Sequence, residues 1–169
     1  VGGAGNDTVS NFGDNVKILG GAGDDSIDNQ GAYNYILGIT YNPSNVTIDA
    51  GSGNDTIFNT GANVSINAGD GNDSISSEGG IFGAKGSVTI TAGKGNDTID
   101  LGDMAENYLV QYTSGDGNDY ITGFNSTTTL KIGNGSGTYY EETSGSNVIV
   151  TVGDGMITLV DAANLSAVN

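Results

Sequence analysis

The chain has 169 residues, of which 36 % are hydrophobic and 30 are glycine, and it lacks cysteine, histidine and tryptophan. Twenty acidic residues against four lysines give a net charge of −16, which argues against binding to nucleic acid or anionic lipid because both need a basic surface. No apolar run approaches the roughly 20 residues of a membrane span, and the usual nucleophile–base pairs are absent, so we predict neither membrane insertion nor catalysis. With so low an apolar content and so large a net negative charge, something besides apolar burial must help to keep the chain compact.

A seven-residue unit, Gly-x-Gly-[Asn/Asp]-Asp-[Thr/Ser/Tyr]-[Ile/Val], organises the chain. It occurs six times, beginning at Gly3, Gly21, Gly51, Gly69, Gly93 and Gly115. A Val-x-Ile strand precedes the second to fifth units, and Tyr108–Tyr112 takes that place before the sixth. The base period of 18 residues holds two short strands and is too short for a helical crossover. We therefore predict an all-β fold, a right-handed parallel β-roll (a β-solenoid of 18-residue coils).

Two stretches depart from this period. The apolar insertion Tyr33–Tyr41 is either an aromatic patch, for instance for glycans, or a flap folded over the solenoid, and we favour the flap. After residue 122 the repeat stops, and Val148–Val152 and Met156–Val160 flank a three-residue turn, Gly153–Gly155. We predict a β-roll over residues 1–122 and an antiparallel β-cap over 123–169, because the last coil needs a cover.

Extended by one residue upstream, each unit fits the nonapeptide Gly-Gly-x-Gly-x-Asp-x-U-x, where U is a large aliphatic residue. The six copies begin at Gly2, Gly20, Ala50, Ala68, Ala92 and Ser114. Over about residues 1–122 the chain thus resembles the repeats-in-toxin (RTX) family of calcium-binding β-rolls. Alanine or serine replaces the first glycine in four copies, which is tolerable unless that position needs a positive φ.

The repeated turn has the chemistry of a calcium site. Ca²⁺ takes 6–8 oxygen ligands from carboxylates and backbone carbonyls, and glycines let the backbone direct carbonyls at an ion. The predicted carboxylate ligands are Asp7, Asp25, Asp55, Asp73, Asp97 and Asp119. The predicted carbonyl ligands are Gly3, Gly5, Gly21, Gly23, Gly51, Gly53, Gly69, Gly71, Gly93, Gly95, Gly115 and Gly117. Six stacked turns enclose five gaps, and we predict about four to six Ca²⁺ ions.

The other half of each coil departs from the family, whose standard β-rolls carry a second aspartate motif there. The equivalent positions hold Val16, Val46, Val64 and Val88 instead. We predict a one-sided roll, with calcium along one rim and aliphatic packing along the other.

The resemblance implies a secreted bacterial protein of the type I export class that folds on meeting extracellular calcium. The leading interpretation is a non-catalytic, monomeric structural module of a large secreted or cell-surface protein, adhesin-like, with any cell-surface or glycan ligand bound through the rest of that protein. The alternative is the export and maturation region of a secreted hydrolase or toxin. Ice binding is disfavoured because the outward turn positions form no Thr/Asn ladder; they are Ala4, Ala22, Ser52, Asp70, Lys94 and Asp116.

Overall fold

The computed structural model describes residues 1–78, 86–102, 107–133 and 139–165. These residues form strands and turns, and none of them lies in a helix that could cross a membrane. The strands are β1 (Gly3–Ala4), β2 (Thr8–Asn11), β3 (Lys17–Ala22), β4 (Ser26–Asn29), β5 (Ala32–Asn34), β6 (Ile39–Tyr41), β7 (Thr47–Ser52), β8 (Thr56–Asn59), β9 (Val64–Asp70), β10 (Ser74–Ser77), β11 (Ser87–Lys94), β12 (Thr98–Leu101), β13 (Asn107–Thr113), β14 (Asn118–Thr122), β15 (Thr128–Gly133), β16 (Tyr139–Ser144), β17 (Asn147–Val152) and β18 (Gly155–Leu159).

The chain winds alternately through two parallel sheets. Sheet I has the strand order β1-β3-β7-β9-β11-β13-β15, and sheet II runs from β2 through β4, β8, β10, β12 and β14 to β18, β17 and β16. Successive coils therefore stack strand upon strand in both sheets. The predicted parallel β-solenoid is confirmed, with about six coils.

The register of sheet II shows where the irregular spacings of the repeat are absorbed. Ile27 pairs with Ile57 and Ile57 with Ile75, although one step spans 30 residues and the other 18. The twelve extra residues lie in the loop after β4, where β5 and β6 form a separate antiparallel hairpin. Strand register is kept because a slip of one residue would turn every inward side chain outward.

One aliphatic side chain per strand and coil forms a continuous row in the core. In sheet I the inward row is Ile18, Ile48, Ile66, Ile90, Val110 and Leu130, and in sheet II it is Val9, Ile27, Ile57, Ile75, Ile99, Ile121 and Leu159. Nearly all are fully buried. Each such burial contributes roughly 1.5–3 kcal/mol, so a chain of modest apolar content still forms a continuous, narrow core.

We name the two edges of the solenoid by their repeated residues. At the aspartate rim the chain passes from sheet I to sheet II through the Gly-x-Gly-[Asn/Asp]-Asp turns. At the asparagine rim it returns from sheet II to sheet I. There Val46, Val64 and Val88 are buried, and the fourth predicted valine, Val16, is only partly buried.

The asparagine rim also contains a buried hydrogen-bonded ladder that the sequence analysis missed. Asn11 Nδ2 donates to Asn29 Oδ1 (2.7 Å), Asn29 Nδ2 to Asn59 Oδ1 (2.7 Å), and Asn59 Nδ2 to Ser77 Oγ (3.1 Å). Each of these residues stands four positions after a repeated aspartate, which is the signal that could have revealed the ladder. The ladder joins coils through neutral amide and hydroxyl groups that satisfy one another.

We expect Asn59→Ala to destabilise the protein by about 2–4 kcal/mol in saturating calcium. Asn59 is fully buried and accepts hydrogen bonds from Asn29 Nδ2 and from the Gly61 N–H (3.0 Å). Its removal leaves those two donors buried and unpaired, at a cost of about 1–3 kcal/mol each. Urea denaturation measures the loss, with exposed Asn67→Ala as the control; equal stabilities of the two variants would contradict the prediction.

The C-terminal strands close the solenoid as an antiparallel sheet. β18 pairs parallel with β14 and antiparallel with β17, which pairs antiparallel with β16. Val152 pairs with Gly155, so the connecting turn is the two residues Gly153 and Asp154 and not the predicted three, and Gly153 has φ 61°. β15 still pairs parallel with β13, so sheet I extends beyond the boundary predicted at residue 122.

The β5–β6 hairpin does not form the flap that we favoured. Its two strands pair with each other, and Tyr35 and Ile36 at its tip are 89 % and 94 % exposed. The tip therefore covers no core surface of the solenoid.

Candidate metal centre

The glycines of the aspartate rim adopt backbone conformations that other residues avoid. The twelve glycines predicted to supply carbonyls have φ between 97° and 155°. At Gly51 (φ 117°) a Cβ would lie 2.0 Å from the Gly21 carbonyl oxygen, and at Gly53 (φ 126°) it would lie 2.2 Å from the Gly23 oxygen. The carbonyls of one turn thus face the backbone of the next turn. The preceding position has no positive φ, which explains why Ala50 is accepted there.

The six predicted aspartates form a single row along this rim. From Asp25 onwards, the Oδ1 of each aspartate accepts a hydrogen bond from the backbone N–H of the aspartate in the preceding turn. The five distances, from Asp7 N–Asp25 Oδ1 to Asp97 N–Asp119 Oδ1, lie between 2.7 and 3.0 Å. Each carboxylate after the first therefore lies in the gap between two turns and connects them. All but Asp7 are buried.

The second oxygen of these carboxylates is left without a partner. Oδ2 of Asp7, Asp25, Asp55, Asp73 and Asp97 is buried and makes no hydrogen bond. A buried, unpaired carboxylate oxygen is costly, and a cation is the group that removes this cost most directly. Apart from Asp28 Oδ1 on β4, no other buried side-chain N or O atom of the described residues lacks a partner.

Burial disfavours the ionised form of four carboxyl groups of this row and so raises their pKa. It raises the pKa of Asp55 to about 6, of Asp97 to about 7 and of Asp119 to about 6, and it raises the pKa of Asp73 as well. Neighbouring charges in the row add to the effect, since Asp119, Asp73 and Asp116 all raise the pKa of Asp97. The row therefore concentrates negative charge where water cannot screen it.

A second ladder of hydrogen bonds runs along the outside of the rim. Here the side-chain acceptor lies in the earlier turn and the backbone donor in the later turn, the reverse of the aspartate ladder. The residue before each aspartate accepts, through its side-chain oxygen, the backbone N–H of its counterpart in the next turn. Examples are Asn54 N to Asp24 Oδ1 (2.7 Å) and Asn72 N to Asn54 Oδ1 (2.8 Å). The two ladders together fix the spacing of the turns, which explains why the unit carries Asn or Asp at this position.

The groups in the gaps fit a hard, oxygen-seeking cation. Among the described residues no three acidic side chains converge on one point, so most ligands must come from the backbone. Within the same residues no hydrogen-bond donor reaches the carbonyl oxygens of Gly23, Gly53 or Gly71. Unpaired carbonyls beside a carboxylate form the mixed oxygen donor set that Ca²⁺ takes.

The sixth turn differs from the other five. Thr91 pairs with Gln111, a step of 20 residues, whereas Asp97 bonds to Asp119, a step of 22, so this turn is two residues wider. A Cβ on Gly115 would meet nothing within 4 Å, so Gly115 is not stacked on the preceding turn. The Gly117 carbonyl accepts hydrogen bonds from the Tyr112 hydroxyl (2.5 Å) and the Met156 N–H (2.9 Å). The predicted ligand Gly115 thus lies apart from the regular column, whereas Gly117 is stacked on Gly95 but has a carbonyl that is already hydrogen-bonded.

We expect the metal-free chain to be more stable near pH 4 than near pH 8. The folded-state pKa values of Asp55 and Asp97 are raised from 3.8 to about 6 and 7, so the folded state binds protons more tightly than the unfolded chain. Their contribution is fully present below about pH 4 and is lost as the pH rises through about 6–7. Circular dichroism measured with a chelator across this range tests the prediction: the β-sheet signal should be strongest near the acidic end, and a signal that grows as the pH rises would contradict it.

Comparisons with known proteins identify the family of the chain and a solved structure with a similar fold. The family described as the RTX calcium-binding nonapeptide repeat matches residues 1–10, 13–35, 42–63, 50–81 and 81–103, which together are more than half of the chain. Among solved structures, the chain is similar to the extracellular lipase LipA from Serratia marcescens, with a TM-score of 0.53 and 17 % sequence identity. The match covers 95 % of this chain and 35 % of the lipase, and at that identity it shows the fold alone. No curated protein sequence matches the chain.

Proposed function

Because the chain belongs to the family of RTX calcium-binding nonapeptide repeats, we propose that its aspartate rim binds Ca²⁺ between successive turns and that these ions hold the solenoid together. RTX repeats bind calcium and act as structural modules, so we assign the chain no catalytic role. The observation that carries the proposal is the row of buried Oδ2 atoms without a partner.

Each regular gap offers the same ligands. Between the turns at Gly51–Asp55 and Gly69–Asp73, the Asp73 carboxylate spans the gap, and the carbonyls of Gly51 and Gly53 face the next turn. The four gaps closed by Asp25, Asp55, Asp73 and Asp97 repeat this arrangement. The fifth gap lacks a stacked first glycine. We therefore assign four equivalent Ca²⁺ sites and a weaker fifth.

The asparagine rim supports a one-sided arrangement. Its buried amides satisfy one another in a ladder, and its valines are packed in the core. Among the described residues, the buried carboxylate oxygens without a partner form a row at the aspartate rim, and the single other one is Asp28 Oδ1 on β4. Calcium therefore acts along one edge only, opposite a neutral edge that is joined without it.

Circular dichroism and isothermal titration calorimetry test the proposal directly. With millimolar Ca²⁺ we expect a β-sheet spectrum that is lost on chelation at neutral pH, because a ligand bound only by the folded state stabilises it. Mg²⁺ is the matched control, since it prefers a smaller octahedral site and retains its waters. Retention of the β spectrum after chelation, or equal stabilisation by Mg²⁺, would refute the proposal.

RTX repeats occur in secreted bacterial proteins, and the context we propose for this chain is a large secreted or cell-surface protein of the adhesin type. Extracellular calcium modules have dissociation constants of roughly 10⁻⁴–10⁻³ M, so the chain would stay unfolded in cytosolic calcium and fold outside the cell. We propose that it does so as a monomer.

A second candidate is the export and maturation region of a secreted hydrolase. The chain is similar to a part of an extracellular lipase, and that part is 35 % of the lipase's length. This similarity favours the alternative. The full-length gene separates the two: long arrays of further repeats support the adhesin, and a catalytic domain upstream supports the hydrolase.

A further inference from the structure

The tip of the β5–β6 hairpin exposes three consecutive large apolar side chains that calcium binding does not use. Tyr35, Ile36 and Leu37, which we call the apolar tip, are 89 %, 94 % and 61 % exposed. Scattered apolar residues on a surface need no explanation, but a contiguous protruding group indicates a contact surface.

The apolar tip is held in one conformation. Asn34 Oδ1 accepts hydrogen bonds from the N–H groups of Ile36 and Leu37 (both 3.0 Å), and the Gly38 N–H donates to the Asn34 carbonyl (2.8 Å). The Tyr33 and Tyr35 rings meet edge to face, with centroids 4.8 Å apart. Pre-organisation of this kind lowers the entropy lost on contact with a partner.

Charge is absent from this part of an otherwise acidic molecule. Residues 29–48 contain no Asp, Glu or Lys, although the whole chain carries −16. The uncharged tip matches a neutral surface, and an anionic surface would repel the rest of the molecule.

The small area of the tip favours a lipid surface over a protein partner. Three side chains expose on the order of a few hundred Å², well below the roughly 1,000 Å² of a stable protein–protein interface, so a second copy of this chain is a poor occupant. A lipid surface can surround a protruding tip on all sides. At the base of the tip Tyr33 and Tyr41, 42 % and 51 % exposed, are the amphipathic side chains found at headgroup level.

We propose that the β5–β6 hairpin inserts Tyr35, Ile36 and Leu37 into the interfacial layer of a zwitterionic phospholipid surface, as a shallow peripheral contact. The contact is independent of the calcium sites, since the hairpin lies in the loop after β4 and contributes no ligand to the aspartate rim. The sequence argues against a membrane-spanning segment and against binding to anionic lipid. A shallow contact with zwitterionic lipid is consistent with both statements.

Tryptophan fluorescence tests the insertion cleanly because the chain has no tryptophan of its own. We expect calcium-loaded Ile36→Trp to show a blue-shifted emission with phosphatidylcholine vesicles and quenching by brominated lipid. The matched control is Tyr140→Trp, whose site is 71 % exposed on β16 next to Glu141 and Glu142 and should not respond. Phosphatidylglycerol vesicles should bind less because of the net charge.

Vesicle co-sedimentation supplies an independent measurement. The double variant Ile36→Ser with Leu37→Ser keeps its circular dichroism, because both residues are exposed, and its partition constant falls by at least about tenfold. Equal sedimentation of the double variant, or no response of Ile36→Trp to vesicles, would overturn the proposal. So would a blue shift that depends on protein concentration without lipid, which indicates self-association, or one produced by neutral oligosaccharides, which indicates a glycan site.

Discussion

Asp73→Asn should weaken calcium binding by at least about tenfold and, without calcium, should make the chain more stable than the unsubstituted protein. The amide keeps an oxygen that can accept the Asp55 N–H, now at 2.7 Å from Asp73 Oδ1, so the turn retains its geometry. It removes a buried charge whose Oδ2 has no partner and whose pKa is raised by burial. The two effects have opposite signs because the same carboxylate is a ligand with calcium and an unpaired charge without it.

Urea denaturation in Ca²⁺ and calorimetry measure the loss of calcium binding. Circular dichroism of the chelated chains, followed as the pH rises from about 4 to neutral, measures the second effect, because the variant should keep its β-sheet signal to a higher pH. Glu142→Gln is the matched control, since it removes the same charge from an exposed position on β16 and should alter neither quantity by more than about 0.5 kcal/mol. If Asp73→Asn destabilised both forms equally, Asp73 would be a structural residue and the calcium assignment would fail at this gap.

Gly69→Ala should destabilise the folded, calcium-loaded protein by at least about 3 kcal/mol. Gly69 has φ 115°, and a Cβ there would lie 1.9 Å from the Gly51 carbonyl oxygen. The added methyl group would force apart two turns and displace a carbonyl that faces the proposed site. Stability and calcium affinity should therefore fall together.

Gly133→Ala is the control for the glycine substitution. A Cβ at Gly133 would meet only the Lys131 Cε, at 4.0 Å, and its φ is not positive, so the change should cost less than about 0.5 kcal/mol. Thermal denaturation in saturating Ca²⁺ compares the two variants. Equal midpoints would show that the turns can separate freely and that stacked carbonyls do not define the site.

Periodicity and local chemistry predict the regular part of the molecule well. The pattern has one inward aliphatic residue per strand and coil, and glycines where the turn needs a positive φ. From these two features the sequence predicts the parallel coils and the row of six aspartates. These features are local and repeated, so all six copies of the unit support the same structural prediction. The tolerance of Ala50 and its counterparts also follows from the turn, because only the two glycines inside the unit need a positive φ.

The sequence alone thus determined the solenoid, its register and the residues that line the aspartate rim. Three features needed the tertiary structure: the neutral ladder of Asn11, Asn29, Asn59 and Ser77, the wider sixth turn closed by Tyr112, and the exposed tip of the β5–β6 hairpin. Each of these features depends on contacts between residues of different coils, or on the lack of such a contact, which the sequence does not specify. An asparagine in a turn becomes a buried ladder only when its counterpart stacks above it, and an apolar insertion is exposed only when no core surface lies beneath it.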